Sequence, residues 1–339
     1  MPDDPQTHSA HERLPKIGVV LIGRNEGERL QRCLESIARH RLPTVYVDSG
    51  STDTSVERAM AMGAEIVRLS VDIPFTAARA RNEGFACLMK AHQDVTHVQF
   101  IDGDCELSGE WLTNATEFMT DHPDMAIVCG RRSERYPDRS IYNTLCDMEW
   151  NTPVGEADSS GGDFLARVDA FRSIDGFNGS LVAGEEPEMC YRLRLGGWKI
   201  YRLDSPMTLH DADMHSFVQW VRRTSRTGYA YAARAFLHWR AFNPVFLREN
   251  ARVLFWGLAF PAVALLLTVA ASPWFALLFL IYVVQYWRIY KSTRSRYPAR
   301  AARAYALFTV LGKWAELYGQ LIFIGRLIGR KEQRLIEYK

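Results

Sequence analysis

Asp102 and Asp104, separated by Gly103, follow the apolar run His97-Val98-Gln99-Phe100-Ile101. A strand there delivers two carboxylates to its carboxyl end with a flexible glycine between them. Such a pair suits a hard divalent cation, since Mg²⁺ or Mn²⁺ is typically held by one or two carboxylates plus substrate phosphates. That chemistry fits the departure of a diphosphate. Asp-x-Asp is common in solvated turns, so its place in the chain decides its weight.

Two more polar turns follow apolar runs in the same way. Gly23-Arg24-Asn25-Glu26 comes after Ile17 to Ile22, and Asp48-Ser49-Gly50-Ser51 after Thr44 to Val47. Arg24, Asn25, Glu26, Asp48 and Ser49 are thus candidates for holding a nucleotide and a sugar, although the same residue types are favoured in turns for backbone reasons alone. Glu185, Glu186 and Glu188 open a helical pattern running to Leu195. They are candidates for accepting a proton, and they also complement the positive end of that helix. His210 ends a further strand pattern, Thr208-Leu209-His210-Asp211, where it could reach a diphosphate or a metal or serve as a structural histidine. Glu156, Asp158 and Asp163 flank Ser159-Ser160-Gly161-Gly162, a stretch that reads either as a loop closing over a ligand or as plain surface.

The elements that must position these residues alternate in type. Strands at Ile17 to Ile22, Thr44 to Val47 and His97 to Ile101 are separated by helical patterns at Glu26 to Arg39, Ser55 to Met62 and Thr76 to Ala91. Alternation of this kind predicts an α/β fold with a doubly wound parallel sheet and right-handed crossovers. Ligands then sit beyond the carboxyl ends of the strands, where all three polar turns lie. No G-x-G-x-x-G follows the first strand, which argues against a dinucleotide-binding oxidoreductase. A nucleotidyltransferase calls for a Gly-rich, basic first loop, and Gly23-Arg24-Asn25-Glu26-Gly27 is too acidic and too short.

The chain has 339 residues, enough for one large α/β domain and an appendage. Its 41 Lys and Arg against 39 Asp and Glu leave a formal charge of +2, which does not suggest a nucleic-acid binder. Six widely spaced cysteines without a C-x-x-C pair favour reduced thiols. Residues 1–15 are polar and read as a flexible N-terminus without the apolar core of a secretory signal, so the enzyme part is expected in the cytosol.

Taken together, the segments resemble the family 2 glycosyltransferases, whose catalytic domain has the GT-A arrangement. Five places carry the resemblance: VVLIGRNEGERLQRCLESI (Val19 to Ile37), VDSGSTD (Val47 to Asp53), ARNEG (Ala80 to Gly84), IDGDCEL (Ile101 to Leu107), and GGDFLARVDAFRSIDGFN followed by GEEPEMCYRLRLGGWKIYRL. They run in the family's order across roughly residues 17–210 and assign a catalytic domain to residues 16–245. The resemblance implies Asp48 near the base or ribose, with Ser49 in place of a frequent second aspartate, and Arg81 beside the nucleotide. It implies Asp102 toward ribose and metal, and Asp104 toward the metal. His210 matches a histidine that reaches the diphosphate or metal in some GT-A enzymes. The family's acidic pair is usually Glu-Asp with the aspartate as base, which points to Glu186 here, with Glu185 and Glu188 as neighbours able to take the role. The reaction this resemblance implies is an inverting displacement from a nucleotide-activated sugar, most commonly a UDP-sugar, assisted by Mn²⁺ or Mg²⁺. Gln219-Trp220-Val221-Arg222-Arg223 is similar to the Gln-x-x-Arg-Trp of processive polysaccharide synthases, but Arg223 stands where tryptophan should be, which argues for a non-processive enzyme.

Residues 246–339 differ in character. Val253 to Ala271 is nineteen residues without a charge, about 28 Å of helix, and Pro273 to Trp287 adds fifteen more. Between Met214 and Ala315 the only acid is Glu249. Arg248 and Arg252 precede the apolar stretch, and Lys291, Arg294, Arg296, Arg300 and Arg303 follow it, which predicts a membrane hairpin (spans about 253–271 and 273–290) with both ends on the cytoplasmic side. Trp256, Trp274, Tyr282, Tyr286 and Trp287 fit an interfacial belt. Residues 304–329, interrupted by Lys313, Glu316, Gln320 and Arg326, read as an amphipathic helix along the interface. Arg222, Arg223 and Arg226 could meet donor phosphate, a lipid phosphate or the membrane surface, or form a solvated basic face. The membrane segment suggests a glycan or lipid-linked acceptor.

Overall fold

The computed structural model describes residues 15–241 and 243–329. The flexible N-terminus expected over residues 1–15 falls outside that range except for Pro15.

Three apolar, β-branched runs form the centre of the sheet. β1 (Ile17–Gly23) lies between β2 (Thr44–Asp48) and β4 (His97–Asp102), both parallel to it, with β3 (Glu65–Arg68) outside β2. Each crossover carries a helix: α1 (Glu28–Ala38), α2 (Ser55–Ala61) and α3 (Ala77–Ala91). Val19, Val20, Leu21, Val45, Val47, Phe100 and Ile101 are buried, as residues of a sheet covered on both faces should be. The register pairs Gly23 with Asp48 and Ile22 with Asp102, so the polar ends of β1, β2 and β4 emerge level with one another.

The expectation of an all-parallel sheet holds only for this half. The remaining strands are β5 (Cys105–Leu107), β6 (Met125–Glu134), β7 (Gly155–Glu156), β8 (Phe164–Arg167) and β9 (Lys199–His210). β8 runs antiparallel between β4 and β6, while β9 is parallel to β6 and antiparallel to β5 and β7. The sheet is mixed, with β3-β2-β1-β4-β8-β6-β9-β5 as its order. Antiparallel β8 brings the segment after Gly162 back beside β4, which no strand-and-helix alternation in the sequence signals. On this half lie α4 (Trp111–Asp121), α5 (Ile141–Trp150), α6 (Val168–Ser173) and α7 (Glu185–Leu195).

After β9 comes α8 (Phe217–Leu237), started by a capping box in which Ser216 and Gln219 satisfy each other's backbone N–H groups. A continuous helix then runs from Pro244 to Ala270. Its turn at Phe255–Ala259 is π-helical, ending two residues before Pro261, whose missing N–H already removes one helical hydrogen bond. The chain returns through a 3₁₀ segment, Pro273–Phe279, into the helix Leu280–Arg294, and ends in the 30-residue helix Ala299–Ile328. Among the described residues only Pro244–Ala270 is long and apolar enough to cross a membrane, and Leu265, Leu266 and Val269 on it are exposed.

The last helix does not lie free along its length. It crosses α8 where a Cβ added to Gly228 would stand 1.9 Å from the Glu316 carbonyl oxygen, and one added to Gly319 would stand 1.8 Å from that of Ser225. Two glycines thus let the backbones touch where the C-terminal helix crosses α8.

Candidate active site

ARNEG sits on α3, where Gly84, Asn82 and Arg81 have separate tasks. Gly84 faces the sheet, where a Cβ would come within 2.6 Å of Val20 and 2.7 Å of Val47, so glycine lets the helix approach. Asn82 clamps the Phe177 backbone, donating to its carbonyl at 2.8 Å and accepting from its N–H at 2.9 Å. Arg81, buried, donates to Asp102 Oδ1 at 2.8 Å and to Glu185 Oε1 at 3.0 Å. It thereby joins the end of β4 to the start of α7. Burial alone would lower its pKa, but Asp102 and Glu185 outweigh that and raise it, so Arg81 stays charged.

Asp102 is held from three sides. Besides Arg81, Arg132 on β6 approaches its Oδ2 at 3.5 Å, and its backbone N–H donates to Asp163 Oδ1 at 3.1 Å. Asp163 also accepts from the Thr208 hydroxyl at 2.7 Å, so it is an interior strut rather than part of a closing loop. Gly162 is needed beside them, because a Cβ there would fall 2.9 Å from Asp102 Oδ2. Arg132 lies 5.0 Å over the Trp150 ring, whose edge in turn meets the His210 ring at 4.7 Å. Neither Arg132 nor Trp150 belongs to a pattern visible in the sequence. Only the doubled arginine at Arg131-Arg132 near a strand end could have drawn attention to one of them.

β5 and β9 bring Asp104 and His210 together, with Asp104 Oδ2 and His210 Nε2 3.3 Å apart. Ligand atoms of Asp104, Cys105 and His210 lie within 4.8 Å of one another. Burial pushes the Cys105 thiol well up, so it stays protonated and the donors suited to a hard or borderline divalent cation are the carboxylate and the imidazole. His210 Nδ1 is buried without a hydrogen-bond partner, 3.8 Å from Glu134 Oε2. A proton on Nδ1, facing Glu134, leaves the Nε2 lone pair toward Asp104, which fits a metal ligand.

Arg81, Asp102, Asp104, Arg132, Trp150 and His210 line one cavity of 1410 Å³, which also takes in Arg24, Asn25, Glu26 and Ser49. Arg24 lies 5.9 Å over the Phe75 ring on the same wall. Asn25 takes a positive φ of 56° and ties the first two turns together, its N–H donating to Ser51 and its side chain accepting from the Thr52 N–H. Two expected residues stand behind the wall. Asp48 is buried and accepts backbone N–H bonds from Gly50 and Ser51, so it shapes the turn that presents Ser49. Glu186 is buried and accepts from the Ser160 N–H at 2.6 Å, the Ser160 hydroxyl at 2.8 Å and the Cys190 thiol at 2.9 Å. Burial pushes its carboxyl up, partly offset by the bonds from Cys190 and Ser160. Glu185, Pro187, Ser159 and Gly162, the neighbours of this contact, all line the cavity. Glu188 turns away to Arg192 and His238.

Residues 19–168 match the model of Glycosyl transferase family 2. That stretch of the chain is similar to a family 2 glycosyltransferase domain. Glycosyltransferase AglE of Haloferax volcanii is 21% identical over 63% of this chain and 72% of its own length. Succinoglycan biosynthesis protein ExoA of Rhizobium meliloti is 22% identical over 75% of each. Among solved structures, a mannosyltransferase from Pyrobaculum calidifontis in complex with GDP-Man and Mn²⁺ shares the fold at a TM-score of 0.60 and 18% identity, covering 88% of both chains. The architecture is therefore GT-A-like, and its strand-end turns line the cavity.

Proposed function

We propose that the protein is an inverting, metal-dependent glycosyltransferase that passes a sugar from a nucleoside-diphosphate donor to a glycan or lipid-linked acceptor at the cytoplasmic face of a membrane. The contact between Ser160 and Glu186 carries the reading of the base. A buried carboxylate whose pKa is raised, already accepting a hydroxyl hydrogen bond at 2.8 Å, is the arrangement a general base needs, and Ser160 stands where an acceptor hydroxyl would bind. When Ser160 moves aside, the acceptor oxygen forms its bond to the anomeric carbon while its proton passes to Glu186. The bond to the diphosphate oxygen breaks on the opposite face, and its electron pair leaves with the nucleoside diphosphate.

Arg81 is charge-compensated by Asp102 and Glu185, so Glu185 acts in positioning: it keeps the guanidinium against the donor side. Asp104 and His210, with Asp102 beside them, would hold Mn²⁺ or Mg²⁺. Bound there, such an ion supplies Lewis-acid stabilisation of a departing diphosphate. Uridine diphosphate is the carrier that the family resemblance favours, and thermal protection by UDP- and GDP-sugars discriminates between carriers. The membrane placement rests on the helix Pro244–Ala270 and on the basic residues that flank the apolar stretch.

The test is a pair of variants assayed for donor binding and for transfer. Glu186→Gln should bind donor as before and lose transfer by about 10²–10⁴-fold, whereas Glu185→Gln should weaken donor binding. Turnover retained in Glu186→Gln removes that residue from the role of base. Release of pyrophosphate instead of nucleoside diphosphate would make the protein a nucleotidyltransferase.

A further inference from the structure

The cavity does not end at Glu185. It continues along α8 past Thr227 and Tyr231 to Val245 and Phe246, the first turn of the helix Pro244–Ala270. Four arginines line this far half: Arg194, Arg223, Arg226 and Arg234. Three have carboxylate partners: Asp158 for Arg194, Glu149 for Arg223 at 2.5 Å and Glu249 for Arg234 at 2.9 Å. Arg226 is half-buried, and among the described residues its guanidinium forms no ion pair and no hydrogen bond. A partly desolvated cation on a cavity wall without a counter-charge is a binding position for an anion, and a guanidinium matches the oxygens of a phosphate in particular.

We propose that Arg226, with Arg223 one helical turn before it, binds a phosphate or diphosphate on the acceptor, and that this group carries a lipid chain. The proposal rests on the glycosyltransferase reading and adds the acceptor's chemical class. The lipid part comes from the wall. Beyond Arg226 the lining passes to Tyr231, Val245 and Phe246, and Phe246 belongs to the described helix that is apolar enough to enter a bilayer. Along α8, Arg226 precedes Ala230 and Arg234, which meet Gly184 at the start of α7, and Arg234 also meets Phe246 on the apolar helix; in this proposal the lipid tail runs toward Phe246 and the acceptor hydroxyl toward Glu186.

The test uses the full chain in detergent micelles and three probes: farnesyl phosphate, farnesol and methyl phosphate. Binding is read by calorimetry, and unliganded Tm by thermal unfolding. Farnesyl phosphate should bind the native protein and lose about tenfold or more in affinity with Arg226→Ala and Arg226→Gln, with partial rescue by Arg226→Lys. Farnesol should bind weakly and equally to all of them. Unchanged farnesyl phosphate affinity in either variant whose Tm is preserved overturns the proposal. So does a variant that loses thermal protection by nucleoside diphosphate along with phosphate binding, because Arg226 would then serve the donor. Methyl phosphate that binds as tightly as farnesyl phosphate, with the same dependence on Arg226, keeps the anion site and overturns the lipid source. A native enzyme that releases no nucleoside diphosphate from any nucleotide sugar would overturn the glycosyltransferase reading while the phosphate measurement stands on its own.

Discussion

The proposed donor side of the cavity is made of turns at the carboxyl ends of parallel strands, whereas the far side is made of helix faces. On the donor side the geometry is set by backbone pairing. Register puts Gly23 level with Asp48 and Ile22 level with Asp102, and the buried Asp163 and half-buried Arg132 then fix the side chains. On the far side, position depends on how α7, α8 and the C-terminal helices pack, and that packing passes through the Gly228 and Gly319 crossing. Sites held by a sheet tolerate change in distant helices. Sites held by helix contacts inherit the stability of every contact beneath them.

The largest effect should come from the donor side. Asp104→Ala is expected to lower donor turnover by about 10²–10³-fold, and chelation should do the same reversibly, with activity restored by Mn²⁺ or Mg²⁺. Initial rates of nucleoside diphosphate release measure both. Full activity in the variant would move the metal away from Asp104 and His210.

An intermediate effect should separate the two sides. Gly319→Leu forces a side chain into the backbone of α8 and should destabilise by about 3 kcal/mol or more, a Tm fall of roughly 5–10 °C. Nucleotide protection measured below that Tm should persist while transfer falls, because only the far side is displaced. If donor binding and transfer fall together, the two sides are mechanically one unit and the contrast is wrong.

The smallest effect concerns pH. The folded pKa of Glu186 is raised, so its contribution to stability is present below the usual glutamate pKa of about 4.3 and is lost as pH rises through the folded value. Glu186→Gln removes that loss. The Tm of the variant relative to the native protein should therefore increase from pH 4 to pH 7. A constant difference would mean that Ser160 and Cys190 compensate the buried charge completely.

Much of the donor side was legible because it is local. A polar turn after an apolar strand reads directly from residue order, and Arg81, Asp102 and Asp104 line one cavity. Asp48 and Glu186 were legible as motif members but not as buried residues, since burial depends on segments far away in the chain. Ser160, which covers Glu186, is 26 residues before it. Arg132 carried no motif at all, because its task exists only once β6 lies near β4 through the intervening antiparallel β8.

The amino-acid order alone determined the alternating first half, the order of the family's motifs and the apolar character of residues 253–271, because periodicity, turn chemistry and hydrophobicity are properties of neighbours in the chain. Tertiary structure decided the antiparallel second half and the meeting of Asp104 with His210. It also decided which of two adjacent glutamates faces the cavity and which arginine is left without a carboxylate. Those outcomes are sums over contacts between distant segments, and no local pattern encodes them.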